Sequence, residues 1–312
     1  MKRSWLGALW IEWLCILWLS GFAVKGQVPK PETFYSGAQH AIIQLQYLDG
    51  QTLHTATGFF VSRGDAFYVV TAGHVAREPF SYTATVRIEA SAQDGTTTSF
   101  DVRLTMPHES WVLHQDDGDA TRFPVDVAAM KIANHGGLKA YRYCPTNCPD
   151  WKGILLAKED AEPPMPVLVF GFPLNEPGLT VLRPVPLGRQ GIIGLVDPSG
   201  DEIQVDGRYF DRLGFIIDTP TIIGGSSGSP VLSNAPFAPQ ALVGLISGGT
   251  DKGDPGAYAR AGGYAIAEPV SRIKEVLDSS GIEKMAPVDT WCFLSATDAE
   301  KFRPPPPFPV CK

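Results

Sequence analysis

Short apolar runs closed by Gly, Asp, Ser or Pro recur along most of the chain. Runs rich in β-branched and aromatic residues with such boundaries are typical of β-strands. We expect strands in the first half of the chain at residues 41–48, 57–62, 66–72, 82–90, 96–104 and 127–132. A second series is expected at residues 167–172, 180–185, 190–196, 214–218, 229–232, 241–247 and 263–267. The pattern predicts an all-β fold of two six-stranded antiparallel β-barrels, at about residues 34–140 and 160–268.

A helical pattern follows the second series of strands. Apolar residues share one face of the segment that opens at Pro269, namely Val270, Ile273, Val276 and Leu277. This spacing predicts a short C-terminal helix at residues 269–278, with proline at its first position. The helix would close a single domain spanning residues 34–285. Residues 286–312 lack this periodicity and include a run of prolines, so we expect a proline-rich tail there.

The N-terminal segment differs from the rest of the chain. Lys2 and Arg3 precede a nearly continuous apolar stretch over residues 5–24. This pattern predicts an export signal at residues 1–23, either cleaved after Ala23 or retained as a membrane anchor. We therefore expect an exported protein, periplasmic or secreted, that contacts the membrane only if the segment is retained.

The charge balance is mildly acidic, with 26 Lys and Arg residues against 33 Asp and Glu residues. No long basic stretch is present that would follow a phosphate backbone. Nucleic acid is therefore not expected as a partner.

Four of the five cysteines lie outside the N-terminal apolar segment, an even number in a chain expected to enter an oxidising compartment. We expect two disulfides. Pairing Cys144 with Cys148 and Cys292 with Cys311 is one of three connectivities, favoured because it closes a small loop and pins the tail. A zinc site is the competing interpretation, but histidine partners are missing near Cys144. The acidic cluster at 116–119 lacks the distal Glu of a calcium loop, so no metal or other cofactor is expected.

A cluster of small residues, Gly225-Ser226-Ser227-Gly228-Ser229-Pro230, lies at the boundary of two expected strands. Acyl transfer by serine needs a hydroxyl on a sharply turned backbone whose N–H groups converge on the developing oxyanion, and glycines permit that turn. Ser227 fits the role of nucleophile, with the N–H groups of Gly225 and Ser227 as the oxyanion hole. Taken alone, such a cluster is more often an ordinary turn.

Two further motifs support a chemical role for the cluster. His74 directly follows a β-branched strand, and Asp126 leads an apolar run. Either residue alone would usually be structural. In the order His74, Asp126 and Ser227, the three residues supply the general base, the orienting acid and the nucleophile that acyl transfer requires.

On the motif Thr71-Ala72-Gly73-His74, the Asp-Val-Ala run at Asp126 and the Ser227 cluster, the sequence resembles the trypsin-like serine peptidases. It is most similar to bacterial forms such as the HtrA-type proteases and the glutamyl endopeptidases. The resemblance covers about residues 34–280 and implies a serine endopeptidase that acts on proteins or peptides. It also implies that Ser247, Gly248 and Gly249 form the edge strand against which substrate backbone pairs.

Two departures from the digestive members of that family change the expectation. Ser226 stands where those enzymes carry an acid that pairs with a newly made N-terminus, so activity is expected without such cleavage. Thr221, six positions before Ser227, would lie at the floor of the specificity pocket and carries no charge. An uncharged, small to medium side chain is therefore expected before the cut bond.

Two other functions are alternatives to a serine peptidase. An α/β-hydrolase esterase would need glycine where Ser229 stands and a histidine after the serine, whereas every histidine here precedes Ser227. A catalytically silent relative would use the two-barrel scaffold or the tail to bind another protein. The complete set of three candidate residues argues against the silent relative.

Overall fold

The computed structural model describes residues 39–91, 97–116, 125–146, 153–172, 185–196, 202–205, 208–211, 214–219, 224–234, 240–249, 263–301 and 309–311. The expected export signal, most of the strand at 180–185, Thr221, Cys148 and the proline run lie outside these residues. Among the helices within them, none is long and apolar enough to cross a membrane.

The described part of the chain is mostly β-structure. In chain order its strands are β1 (Ile42–Asp49), β2 (Thr52–Arg63), β3 (Ala66–Thr71), β4 (Tyr82–Ser91), β5 (Thr97–Met106), β6 (Val112–Leu113), β7 (Ala128–Ile132), β8 (Tyr141–Tyr143), β9 (Leu155–Leu156), β10 (Met165–Gly171), β11 (Leu187–Val196), β12 (Glu202–Val205), β13 (Arg208–Asp211), β14 (Phe215–Thr219), β15 (Pro230–Ser233), β16 (Ala241–Gly249), β17 (Gly263–Pro269) and β18 (Trp291–Phe293). The helices are α1 (Gly73–Ala76), α2 (Val270–Asp278), α3 (Ser280–Lys284) and α4 (Ala296–Lys301), with one 3-10 turn at His108–Ser110.

Six strands of the C-terminal half close an antiparallel barrel. Strand β10 pairs with β11, followed in order by β14, β17, β16 and β15, and β15 pairs back onto β10. Alternate residues of these strands fill a small apolar core, among them Val167, Val169, Ile193, Phe215, Ile217, Val231 and Ile246. Side chains that alternate across a strand reach this interior at every second position, as the sequence pattern predicted.

The N-terminal half is an antiparallel series in the order β5, β4, β1, β2, β3, β7 and β6. Strand β2 lies at its centre, with Ile42 opposite Phe59 on one side and Val70 opposite Phe59 on the other. Phe59, Phe60 and Val61 are all buried, so both faces of β2 are covered. The predicted all-β fold class, with its short C-terminal helix, is confirmed.

Two very short strands join the halves. Strand β8 pairs in parallel with β2, and β9 pairs in parallel with both β8 and β16. No prediction was made for either strand, because elements of two or three residues carry no recognisable period. They make one continuous hydrogen-bonded sheet of the two halves.

The C-terminal helix α2 buries the four residues that the sequence pattern placed on one face. Pro269 is its N-cap residue, one position before the expected place in the first turn. On the other face, Glu275 accepts hydrogen bonds from His114 (2.6 Å) and Arg272 (2.8 Å). Burial opposes ionisation of Glu275, but these two hydrogen bonds and the electrostatic attraction to Arg272 and His114 together outweigh it and lower the pKa of the carboxyl group. Helix α2 is thereby fastened to the segment that precedes β7.

The segment after residue 286, expected to be a tail, contains both a strand and a helix. Strand β18 pairs antiparallel with β5, with Trp291 opposite Leu104 and Phe293 opposite Val102. A disulfide joins Cys292 to Cys311 (Cα–Cα 4.9 Å), the pairing favoured from the sequence. Cys144 is also disulfide-bonded, while Cys148 lies outside the described residues. Strand β18 therefore covers the edge of β5, and the disulfide ties β18 to the end of the chain.

We predict that Trp291→Ala destabilises the domain far more than truncation of the exposed Leu294 does. Trp291 is 4% exposed and donates from its indole N–H to the carbonyl of Ala133 (3.2 Å), so truncation leaves both a cavity and an unpaired carbonyl. The expected loss in free energy of unfolding is about 3–5 kcal/mol, measured by urea denaturation followed by circular dichroism. Leu294→Ala, at a position 38% exposed, is the control and is expected to cost at most about 0.5 kcal/mol. Equal losses for the two variants would show that β18 is a loosely attached tail.

Candidate active site

His74 lies at the point where a buried strand turns into a single helical turn. Strand β3 ends at Thr71, Ala72 is extended (φ −69°, ψ 144°), and helix α1 begins at Gly73. Gly73, Val75 and Ala76 are buried, whereas the His74 side chain is 45% exposed. Its neighbours thus anchor the backbone and leave the imidazole accessible.

Asp126 binds His74 through both carboxylate oxygens. Oδ2 is 2.7 Å from His74 Nδ1, and Oδ1 accepts the His74 backbone N–H at 2.6 Å. An ionised carboxylate only accepts, so the proton of this hydrogen bond is assigned to Nδ1 and Nε2 is left as an acceptor. The Asp126 side chain is only 12% exposed. The structure therefore brings together two of the three residues that the sequence identified, with the imidazole held in one tautomer.

Two charged residues next to Asp126 were not predicted from the sequence. Arg77 donates from Nη2 to Asp126 Oδ1 (3.1 Å), and the buried Glu268 accepts the Asp126 backbone N–H through Oε1 (3.1 Å). Arg77 follows His74 by three positions on the same helical turn, a spacing that does place side chains on one face. Glu268 is 142 residues from Asp126, and no local pattern connects the two.

The Ser227 turn is held through its carbonyl groups. Thr57 donates twice, from Oγ1 to the Gly225 carbonyl (2.8 Å) and from its backbone N–H to the Ser227 carbonyl (2.9 Å). The Ser226 carbonyl between them accepts the Ser229 N–H (2.9 Å). Gly225 and Gly228 have φ values of +88° and +84°, which glycine tolerates and most other residues do not. The expected sharp turn is present, and its carbonyls are bonded to the protein.

The residue after Ser227 packs against the strand end that leads to His74. A Cβ atom at Gly228 would overlap the Thr57 carbonyl oxygen and Thr71 Oγ1, and would lie 3.2 Å from the Ala72 nitrogen. Ser227 itself is half-buried. The turn from the C-terminal barrel is thus in contact with the N-terminal half two residues before His74.

The predicted substrate-binding segment lies at the end of β16. Gly248 and Gly249 pair with Ile266 and Ala265 of β17, and the register shifts between Ile246 and Gly248. Ser247 Oγ donates to the Ile266 carbonyl (3.3 Å), and among the described residues, chain neighbours aside, no atom lies within 4 Å of where a Gly248 Cβ would be. Thr221, the predicted pocket residue, is among the positions not described.

Within the described ranges, no group of three or more His, Cys, Asp and Glu side chains is arranged to hold a metal ion.

The family model described as "Trypsin-like peptidase domain" matches residues 56–238, more than half of the chain. No curated protein matches the sequence.

A variant of the HtrA-type protease AlgW, solved with a tripeptide, is 18% identical, with a TM-score of 0.50 over 81% of this chain and 64% of that one. This chain therefore spans less than two thirds of the length of AlgW, and at such low identity the likeness bears on the fold. The Rv3671c protease from M. tuberculosis in its active form is also 18% identical, with a TM-score of 0.47 over 84% of this chain and 91% of that chain.

The family match covers the strand that ends before His74, Asp126 in the segment just before β7, and the Ser227 turn. The resemblance read from the sequence is confirmed. This chain belongs to the family of trypsin-like serine peptidases.

Proposed function

We propose that this protein is a serine endopeptidase in which Ser227 is the nucleophile, His74 the general base and Asp126 the acid that orients the base. The observation that carries the proposal is the pair of hydrogen bonds from His74 to Asp126, beside a Ser227 turn packed against the strand end that leads to His74. A nucleophile, a base and an orienting acid on a fixed scaffold are what acyl transfer needs. The closed antiparallel barrel of the C-terminal half and the family match do not fit an α/β-hydrolase esterase.

The reaction follows from the protonation pattern of the site. His74 Nε2 takes the proton of the Ser227 hydroxyl as Oγ bonds to the peptide carbonyl carbon, and the carbonyl oxygen becomes an oxyanion. The imidazolium is stabilised by Asp126, then gives its proton to the leaving amine as the C–N bond breaks. Water attacks the acyl-enzyme by the same route, with His74 again as base, and releases the acid product with Ser227 restored.

The backbone N–H groups of Gly225 and Ser227 are the proposed oxyanion hole. In a planar trans peptide the C=O and the following N–H point in opposite directions. The Ser226 carbonyl is bonded to the Ser229 N–H, so the Ser227 N–H is directed away from Ser229. Donors held in this way need no reorganisation as negative charge develops on the substrate oxygen.

The remaining substrate contacts are proposed from the family and from the open end of β16. Ser247, Gly248 and Gly249 would pair with substrate backbone, and the space beside Gly248 is consistent with close approach of a peptide. The AlgW variant solved with a tripeptide supports a protein or peptide substrate. Thr221 remains the proposed floor of the pocket, favouring an uncharged small to medium side chain before the cut bond.

Two features bear on maturation. Ser226 is buried and uncharged, so it offers no ion pair to a newly formed N-terminal amine, which supports activity without cleavage of that kind. The disulfide between Cys292 and Cys311 supports export to an oxidising compartment. We therefore propose a periplasmic or secreted enzyme that folds directly into its active form.

We predict that Ser227→Ala abolishes turnover while leaving the fold intact. Loss of the nucleophile is expected to lower kcat on the order of a million-fold, measured on fluorescently labelled casein. The control is Ser233→Ala, which removes a buried hydroxyl that accepts the Ala241 N–H (2.9 Å) in the same barrel. That control is expected to keep its turnover. Casein hydrolysis at the wild-type rate by S227A would exclude the mechanism.

We also predict that Asp126→Asn lowers kcat on the order of ten-thousand-fold, because the amide can donate to Nδ1 and so favour the tautomer with its proton on Nε2. That tautomer cannot accept the Ser227 proton. Asp278→Asn is the control, since Asp278 also pairs with an arginine, Arg63 at 2.9 Å, but on another element. Its kcat is expected to stay at the wild-type value. Equal kcat values for D126N and D278N would remove Asp126 from the proposed set.

A further inference from the structure

Thr57 lies at the middle of β2 and is completely buried. It lies at the junction of three segments: the Ser227 turn, the end of β10 and the end of β3. We propose that Thr57 is a positioning residue for the oxyanion hole, a role that rests on the proposed peptidase function. Its hydroxyl would act through Gly225 and would not touch the substrate.

The hydroxyl of Thr57 has a fixed direction. It accepts the Phe172 backbone N–H (3.1 Å), and it donates its single proton to the Gly225 carbonyl (2.8 Å). A hydroxyl has one donor, and the N–H of Phe172 can only donate. Gly225 must therefore present its carbonyl, and not an N–H, to Thr57.

This constraint matters because the Gly225 backbone lacks the steric restriction that a side chain would impose. Glycine at φ +88° has no Cβ to resist rotation of its flanking peptide groups. The peptide between Gly225 and Ser226 lies between the two peptide groups that carry the proposed donors, the N–H groups of Gly225 and Ser227. If it turned over, the buried Thr57 hydroxyl would lose its acceptor and the flanking donor groups would be displaced. Leaving buried polar groups unpaired is costly, so the Thr57 hydroxyl selects the arrangement seen here.

The backbone of Thr57 also bonds to both the Ser227 turn and the strand that leads to His74. Its N–H donates to the Ser227 carbonyl (2.9 Å), so one residue holds the turn at Gly225 and at Ser227. Its carbonyl accepts the Thr71 hydroxyl (2.7 Å), three positions before His74. Replacing only the hydroxyl leaves these backbone contacts in place and isolates its contribution.

The test measures acylation by p-nitrophenyl acetate, which uses the oxyanion hole without depending on side-chain preference. Thr57→Val keeps the shape and removes the hydroxyl, and Thr57→Ser keeps the hydroxyl. The pre-steady-state burst rate is expected to fall about 10- to 100-fold in T57V, somewhat less than for loss of a donor itself, with KM for the ester unchanged. T57S is expected to stay close to wild type. Ser233→Ala, which also loses a buried hydroxyl bond, is the matched control for stability and is expected to keep the burst rate.

The outcomes separate this inference from the proposed function. Both hypotheses are supported if the wild-type protein shows a burst that S227A lacks, and if the burst is slow in T57V but close to the wild-type rate in T57S. A wild-type burst rate in folded T57V overturns the role of Thr57 and leaves the peptidase proposal standing. If the wild-type protein shows no burst that depends on Ser227, the proposed function itself fails. Should T57V not fold, Thr57→Ala removes the same hydroxyl without placing a methyl group against the Gly225 carbonyl, and the same rates decide.

Discussion

Gly228 packs directly against the carbonyl oxygen of Thr57 and the hydroxyl of Thr71, and no side chain larger than hydrogen fits there. The contact joins a turn of the C-terminal barrel to the strands that lead to His74. Neighbouring hydrogen bonds reinforce it, from Gly228 N–H to Ile246 and from Thr57 N–H to Ser227. The position of the Ser227 turn relative to the strand end before His74 is therefore set by backbone packing, which varies little, and not by flexible side chains.

Several charged and hydrogen-bonding groups surround Asp126 within a small volume. The carboxylate is mostly buried, a position that is costly for an ion unless partners replace its lost water. Arg77, the His74 ring and the His74 backbone N–H supply those partners, and Glu268 holds the Asp126 backbone. Arg77 donates to the same Oδ1 atom as the His74 backbone N–H, and Oδ2 accepts from the imidazole. The arrangement keeps the Asp126 side chain directed at His74, with both of its oxygens accepting hydrogen bonds.

The sequence was informative where a feature repeats or clusters locally. The longer strands follow an alternating pattern, helix α2 follows a helical one, and the residues around His74 and Ser227 form compact motifs. Strands β6, β8, β9 and β18 were not predicted because two or three residues cannot display a period. Thr57 and Glu268 were missed for a different reason. Their partners lie 168 and 142 residues away, so only the fold brings them together.

An activated Ser227 is the central feature of the proposed site, and covalent labelling with a fluorophosphonate followed by peptide mass spectrometry tests it most directly. The structure predicts a single adduct on Ser227 in the folded protein, lost when the protein is denatured before labelling, because only a serine beside a base of fixed tautomer reacts readily. An unlabelled folded protein, or an adduct on another serine, would contradict the assignment of the active site.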